Sequence, residues 1–149
     1  MIAALLHDAA KARSPSEQKA LMLQSPVFSA GEEDLAHPQI WHGPAAATIA
    51  SRDHGVTDRD ILDAVAFHTT GNPGLGTLGL VLYVADFLEP TRDFPGVAEL
   101  RQQLLPLPPR EAALAVARHK LHHISKRGHK PHGRTVAMEQ WLRANTSGD

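Results

Sequence analysis

The sequence predicts an all-α fold, a bundle of about six to eight helices in a single domain over residues 1–149. One helical segment follows another, and no alternating strand pattern interrupts them. The clearest segment carries Leu114, Ala117, Leu121 and Ile124 at spacings of 3, 4 and 3 residues, which places them on one helix face. Prolines and glycines separate the segments, as is typical between helices.

Start and stop signals define the elements. First-turn prolines, capping side chains and terminal glycines mark most boundaries. Residues 1–11 are predicted as the end of a helix, and further helices are predicted over 15–24, 43–53, 78–88, 95–105 and 135–143. Another helix is capped by Thr57 or Asp58 and includes His68. A helical tail begins at about residue 109 and ends at Gly128. Residues 25–41 are predicted as loop and residues 69–76 as a glycine-rich turn. Residues 78–88 form an apolar run that also fits a strand, but its length and context favour a helix.

Composition narrows the functional classes. The chain has no cysteine, which excludes disulfides, thiolate zinc sites and a cysteine nucleophile, and suits the cytoplasm. A net charge of −1 argues against a nucleic-acid partner. No basic leader and no apolar span of about 20 residues is present, so we expect neither secretion nor a membrane partner. The ten histidines predict a metal site of imidazole and carboxylate, which suits iron, manganese, cobalt, nickel or zinc.

A set of possible metal ligands lies on, or at the edge of, separate predicted helices. The candidates are His7-Asp8, His42, His68 and Asp86, and the intervals between successive positions 7, 42, 68 and 86 are 35, 26 and 18 residues. Helical bundles build carboxylate–histidine sites from such separate elements. Asp86 stands within an apolar run, where a carboxylate must be paired, protonated or metal-bound. A buried His68 that bonds a carbonyl is the alternative for that residue, but the set as a whole predicts a metal centre.

Several longer stretches carry a family resemblance. They are Leu5-Leu6-His7-Asp8-Ala9-Ala10-Lys11, His42 before Gly43-Pro44, Phe67-His68-Thr69-Thr70-Gly71, Tyr83-Val84-Ala85-Asp86-Phe87-Leu88-Glu89-Pro90, Arg92, and Phe94-Pro95-Gly96-Val97. Together they resemble the HD superfamily of metal-dependent phosphohydrolases. Within it, the chain is similar to the YqeK family, the HD-type symmetrical bis(5′-nucleosyl)-tetraphosphatases.

The resemblance implies a reaction and a set of site residues. The expected reaction is the hydrolysis of a small-molecule dinucleoside polyphosphate, diadenosine tetraphosphate, to two ADP. The expected cofactor is a divalent metal, iron in a two-metal centre, with manganese, cobalt or nickel as alternatives. His7, His42, His68 and Asp86 would be terminal ligands and Asp8 the bridging ligand.

Other residues are expected to bind phosphate. Lys11 lies one helical turn beyond Asp8, and these two are the expected catalytic residues. The further candidates for substrate binding are Thr69, Thr70, Gly71 and Arg92. The alternatives are a solvated lysine, a plain helix-terminal turn, and a pair between Arg92 and Glu89.

The chain also departs from the family pattern. Asn72 and Leu80 replace expected basic residues, which leaves the length of the phosphate chain open. Family members carry a further ligand histidine on an upstream helix, whereas six residues precede His7. We therefore expect an N-terminally truncated form with weakened metal binding and activity, and with exposed apolar faces that favour association, for example as a homodimer.

Alternatives to this hydrolase remain at the sequence level. They are a catalytically impaired, nucleotide-binding regulatory HD domain and a di-iron oxygenase, although Lys11 and Arg92 speak against the oxygenase. Between positions 118 and 134 lie six Lys or Arg and five His residues without an acid. This run is interpreted as a solvated helix end, with the steering of polyanions as its alternative.

Overall fold

The computed structural model describes residues 1–146, and within that range it contains helices and no strand. The α-helices are α1 Ile2–Leu6, α2 Pro15–Leu23, α3 Glu32–Leu35, α4 His42–His54, α5 Arg59–Ala66, α6 Thr77–Leu88, α7 Val97–Leu104, α8 Pro109–Lys126 and α9 Gly133–Thr146. A short 3-10 helix covers Pro38–Ile40. The predicted all-α class is confirmed. None of these helices has both the length and the apolar character that a membrane span requires.

The helix count within residues 1–146 exceeds the expected six to eight because α3 lies where a loop was predicted. A helix of four residues has no apolar period to reveal it. Its ends are instead held by Asp34, whose carboxylate accepts the Gly31 N–H at 2.8 Å. The Asp34 carbonyl accepts the Trp41 ring N–H at 2.7 Å.

Two predicted boundaries are wrong in the same way. The first helix ends at Leu6 rather than near Lys11, and His68 lies in the turn after α5 rather than within the helix. Beyond Leu6, the backbone N–H of Ala9 donates a hydrogen bond to the Leu6 carbonyl, three residues earlier, as in a tight turn. Both differences place predicted ligands just beyond a helix end.

The chain divides into two compact units, Met1–Thr70 and Gly71–Asp149, and the organisation as one domain with a tail from about 109 stays a prediction. In the first unit α4 packs against α1, α2 and α5. Its alanines at 45, 46, 47 and 50 are fully buried, which permits close helix packing. The Thr48 hydroxyl donates to the Leu21 carbonyl at 2.7 Å and ties α4 to α2.

In the second unit α8 packs against α6 and α9, and α7 packs against α6. Pro109 is the first residue of α8, where its missing N–H costs no helical hydrogen bond. Gly71 has a left-handed φ of 71°, and an added Cβ would lie 1.8 Å from the sulfur of Met138 in α9. Only a glycine leaves that space to Met138.

Replacing Gly71 should therefore destabilise the fold. Gly71→Ala should lower the free energy of unfolding by about 2 kcal/mol or more, since it combines overpacking with left-handed strain. Gly74→Ala is a matched control, because Gly74 has a φ of 83° but open space around it. Urea denaturation of both variants measures the difference, and equal losses would contradict the packing role of Gly71.

Candidate metal centre

Three of the predicted ligands come together in the first unit. Asp8 lies in the turn after α1, His42 is the first residue of α4, and His68 lies in the turn after α5. One ligand atom from each lies within 4.8 Å of the others. The Nε2 atoms of His42 and His68 are 3.2 Å apart, and they lie 3.8 Å and 3.7 Å from Oδ1 of Asp8.

Gly43 makes this cluster possible. A Cβ at this position would lie 2.7 Å from the carbonyl oxygen of Ala66 and 3.3 Å from that of Val65. The glycine therefore allows the start of α4 to approach the last turn of α5. His42 directly precedes Gly43 and His68 follows Ala66 by two residues, so this contact brings the two imidazoles together.

Backbone carbonyls orient two of the imidazoles. Nδ1 of His68 lies 2.7 Å from the Val65 carbonyl oxygen, and Nδ1 of His7 lies 2.7 Å from that of Ala4. Because a carbonyl only accepts, each Nδ1 donates its proton to the carbonyl oxygen, and Nε2 is the ring nitrogen that faces the cluster. Metal-binding histidines are commonly oriented in this way. Nε2 of His7 lies 3.5 Å from Oδ2 of Asp8.

Asp8 is an ionised carboxylate in this cluster. The His68 ring, followed by His7 and Lys11, holds the pKa of the Asp8 carboxyl well below its usual range, although burial acts in the opposite direction. Its Oδ1 is buried, and no group within residues 1–146 forms a hydrogen bond with it. A buried carboxylate oxygen without a hydrogen bond is costly unless a cation compensates it.

These residues fit a divalent metal ion. Two imidazole nitrogens bound at about 2.1 Å to one ion stand about 2.9–3.4 Å apart, for ligand angles between about 90° and 109°. The 3.2 Å between the His42 and His68 nitrogens lies in that range. With the Asp8 oxygen that lacks a hydrogen bond, the donor set is one that iron, manganese, cobalt, nickel or zinc accepts.

The candidate phosphate-binding residues of the first unit adjoin the cluster. The Lys11 ammonium lies 3.3 Å from Oδ2 of Asp8, and its side chain is 59% exposed. Lys11 is thus a largely exposed lysine that also pairs with Asp8, and the choice between a solvated side chain and a phosphate contact stays open. The Thr69 hydroxyl lies 3.4 Å from Nε2 of His42. Thr70 is buried. Their contact with phosphate stays a prediction.

The remaining candidates, Asp86, Arg92 and Gly71, belong to the second unit. Asp86 lies in α6 and is partly buried. Nη2 of Arg92 lies 3.6 Å from Oδ2 of Asp86, and its Nε lies 3.8 Å from Oε1 of Glu89. The pairing of Arg92 with Glu89 is thus present, together with a second pairing to Asp86. The roles of Asp86 as a metal ligand and of Gly71 and Arg92 as phosphate contacts stay predictions.

Two of the three departures from the family pattern, Asn72 and Leu80, have structural explanations. Asn72 accepts a hydrogen bond from the Arg134 guanidinium at 3.4 Å, so a positive charge does lie beside this position. Leu80 is 3% exposed and belongs to the core, where a lysine would be buried.

Lys120 is a residue whose environment the sequence did not indicate. The basic run was interpreted as solvated, but the Lys120 ammonium lies 4.0 Å from the centre of the Tyr83 ring. Burial lowers the pKa of Lys120 to about 8, while the Asp86 carboxylate acts in the opposite direction. The spacing along the helix could have indicated this environment. Lys120 lies four residues after Val116 and three after Ala117, so it shares a helix face with two residues that are fully buried.

Comparison with known proteins identifies the family. A family model described as the HD domain matches residues 1–91, more than half of the chain, and this range includes Asp8, His42, His68 and Asp86. The chain belongs to the HD domain family. The predicted family resemblance is therefore confirmed.

Three curated relatives of this HD domain chain are named symmetrical bis(5′-nucleosyl)-tetraphosphatase. The one from Bacillus subtilis (strain 168) is 45% identical over 106 residues, which cover 68% of this chain and 53% of that protein. The one from Halalkalibacterium halodurans is 37% identical, over 68% of this chain and 54% of that protein. The one from Staphylococcus aureus is 31% identical, over 67% of this chain and 50% of that protein. The chain spans about half the length of these relatives.

A solved structure shares the fold of this HD domain chain. It is a Clostridium acetobutylicum protein described as a predicted HD superfamily hydrolase involved in NAD metabolism. The two match with a TM-score of 0.85 at 30% identity, over 97% of this chain and 75% of that one.

The close approach at Gly43 leads to a first prediction for the site. Gly43→Ala should move α4 away from Ala66, separate His42 from His68 and lower the metal content of the purified protein by about tenfold, as changes that disturb ligand orientation do. Gly31→Ala is the control, since its added methyl group would meet only the Asp34 carboxylate, at 3.8 Å. Equal metal content in the two variants would contradict the role of Gly43.

The ligand set gives a second prediction. Asp8→Ala, His68→Ala and Asp86→Ala should each lose bound metal, because each removes a proposed ligand. His54→Ala should keep it, since His54 is exposed at the opposite end of the helix that begins at His42. Elemental analysis after anaerobic reconstitution with ferrous or manganous ion measures the content. Full loading of the three ligand variants would show that the metal is held elsewhere.

Proposed function

We propose that this chain is a metal-dependent phosphohydrolase that cleaves a dinucleoside polyphosphate, and that its specific reaction splits diadenosine tetraphosphate symmetrically into two ADP. The observation that carries the proposal is the cluster of Asp8, His42 and His68. It combines an ionised, buried carboxylate oxygen that lacks a hydrogen bond with two imidazoles at the separation that one ion requires. The names of the three curated relatives support the choice of substrate.

The proposed metal centre combines the His7-Asp8 pair with three single ligands from other parts of the sequence. His7, Asp8, His42, His68 and Asp86 would hold divalent iron, or manganese, cobalt or nickel, with Asp8 as the bridge in a two-metal arrangement. When bound, such ions lower the pKa of a coordinated water and neutralise charge on the attacked phosphate. Asp8 is ionised at neutral pH, and its lowered pKa keeps it ionised further into the acid range, which suits a ligand better than a proton donor.

The chain's other residues would bind and orient the phosphates. Lys11 already lies at Asp8 and is largely exposed, so its ammonium can turn to a phosphate oxygen without losing contact with the cluster. Thr69, beside His42, offers a hydroxyl to the same group. Arg92 would contact a further phosphate through its guanidinium. These positive and donor groups offset the charge that builds up as water attacks one of the two central phosphorus atoms.

The proposed reaction has a defined balance. Water adds its oxygen to one central phosphorus atom, and the bond from that phosphorus to the oxygen between the two central phosphates breaks. Each half then carries two phosphates, so both products are ADP. Hydrolysis at any other phosphorus gives unequal products.

Product analysis tests the proposal. Chromatography of diadenosine tetraphosphate incubated with the metal-loaded chain should show ADP alone, and His68→Ala should abolish the reaction. Chelation should stop turnover and added ferrous or manganous ion should restore it, because the ions supply the activated water. AMP and ATP in equal amounts would exclude symmetrical cleavage. Binding of the substrate without any turnover would instead favour the regulatory nucleotide-binding alternative.

A further inference from the structure

A pocket of about 330 Å³ lies within the second unit, between the end of α6, the segment that follows it and the C-terminal half of α8. Its volume is at the lower end of the range for small-molecule sites, which is about 300–1,000 Å³. The mechanism proposed above uses only Arg92 among its lining residues. The pocket therefore offers a binding surface beyond the metal cluster.

Aromatic rings form one wall of this pocket. The centroids of Phe87 and Phe94 are 5.4 Å apart, and the His119 ring lies 5.4 Å from the first and 5.8 Å from the second. Burial, with help from His123 and His122, lowers the pKa of His119, which favours the uncharged form of the ring. Three mutually contacting neutral rings provide a surface on which a flat aromatic group can stack.

Positive charge surrounds the aromatic wall. Arg92, Lys120 and Arg127 line the pocket, and no carboxylate is among the residues that line it in the described part of the chain. The Lys120 ammonium lies 5.6 Å from the centre of the Phe87 ring. Arg92 also faces the carboxylates of Asp86 and Glu89, which reduces its charge, but Lys120 and Arg127 add two further cations, so the pocket favours an anion over a cation.

We propose that this pocket binds one nucleoside end of the substrate, with the base stacked on Phe87, Phe94 and His119 and the adjacent phosphate held by Arg92, Lys120 and Arg127. The inference rests on the proposed function for the identity of the ligand as a dinucleoside polyphosphate. A pocket with an aromatic wall and a cationic rim suits a ligand in which a flat apolar group carries a phosphate. In this arrangement the remaining phosphates would extend from the pocket past Arg92.

Equilibrium binding tests the pocket independently of turnover. Calorimetric titrations with ADP and with pyrophosphate, in EDTA to remove bound metal, should show binding of both to the wild-type chain. Phe94→Leu should weaken ADP about fivefold or more and leave pyrophosphate nearly unchanged, because it removes a stacking ring but no charge. Arg127→Ala should weaken both ligands. Lys126→Ala is the matched control on the same helix end, since Lys126 is exposed and does not line the pocket.

The outcomes separate this proposal from the proposed function. Unchanged ADP affinity in Phe94→Leu and Arg127→Ala, or an equal loss in Lys126→Ala, would overturn the pocket even if the wild-type chain hydrolyses diadenosine tetraphosphate. Selective losses in a chain that never yields ADP would support the pocket and contradict the proposed reaction. Thermal melts establish that each variant is folded. If Phe94→Leu does not fold, the comparison of Arg127→Ala with Lys126→Ala still decides.

Discussion

The approach of α4 to the last turn of α5 is the constraint on which the metal cluster depends. A methyl group at Gly43 would lie 2.7 Å from the Ala66 carbonyl oxygen, so any other residue would force the two helices apart. The fully buried alanines of α4 extend this close packing along the helix. The 3.2 Å between the nitrogens of His42 and His68 is consequently set by helix packing. The ligands are held in place before any ion binds, which favours affinity because less ordering is needed.

Helix ends supply the second part of the site. The last carbonyls of a helix lack an intrahelical donor, and an imidazole N–H can satisfy one of them. His7 bonds the Ala4 carbonyl and His68 bonds the Val65 carbonyl, so one interaction completes the helix end and fixes the tautomer of the ligand. Asp8 has no comparable hydrogen bond at Oδ1 within residues 1–146. The missing hydrogen bond at this buried oxygen costs free energy, and a bound metal ion can offset that cost.

The sequence was sufficient to predict features that local patterns encode. It was not sufficient for features that depend on hydrogen bonds between side chains and the backbone. Apolar periodicity predicted the helices, and the combination of ligand types predicted the cluster that the structure brings together. The positions of His7 and His68 just beyond helix ends were not predictable, because they are accompanied by imidazole–carbonyl bonds that no sequence period reveals. The short α3 depends on hydrogen bonds to Asp34. The burial of Lys120 was hidden by the many charged residues around it, although the buried face of α8 includes its position.

Within the second unit, the contacts of Arg92 join a proposed phosphate contact to a proposed metal ligand. Its guanidinium faces the carboxylates of Asp86 and Glu89, so its charge is partly neutralised. If Asp86 coordinates an ion, as predicted, the carboxylate gives up charge to the metal and holds the guanidinium less strongly. Arg92 can then turn its donors to a phosphate oxygen, which it binds in a bidentate manner that lysine cannot match. Occupation of the metal centre would in this way strengthen substrate binding through the same carboxylate that completes the ligand set, and by linkage the bound substrate would strengthen metal binding by an equal factor.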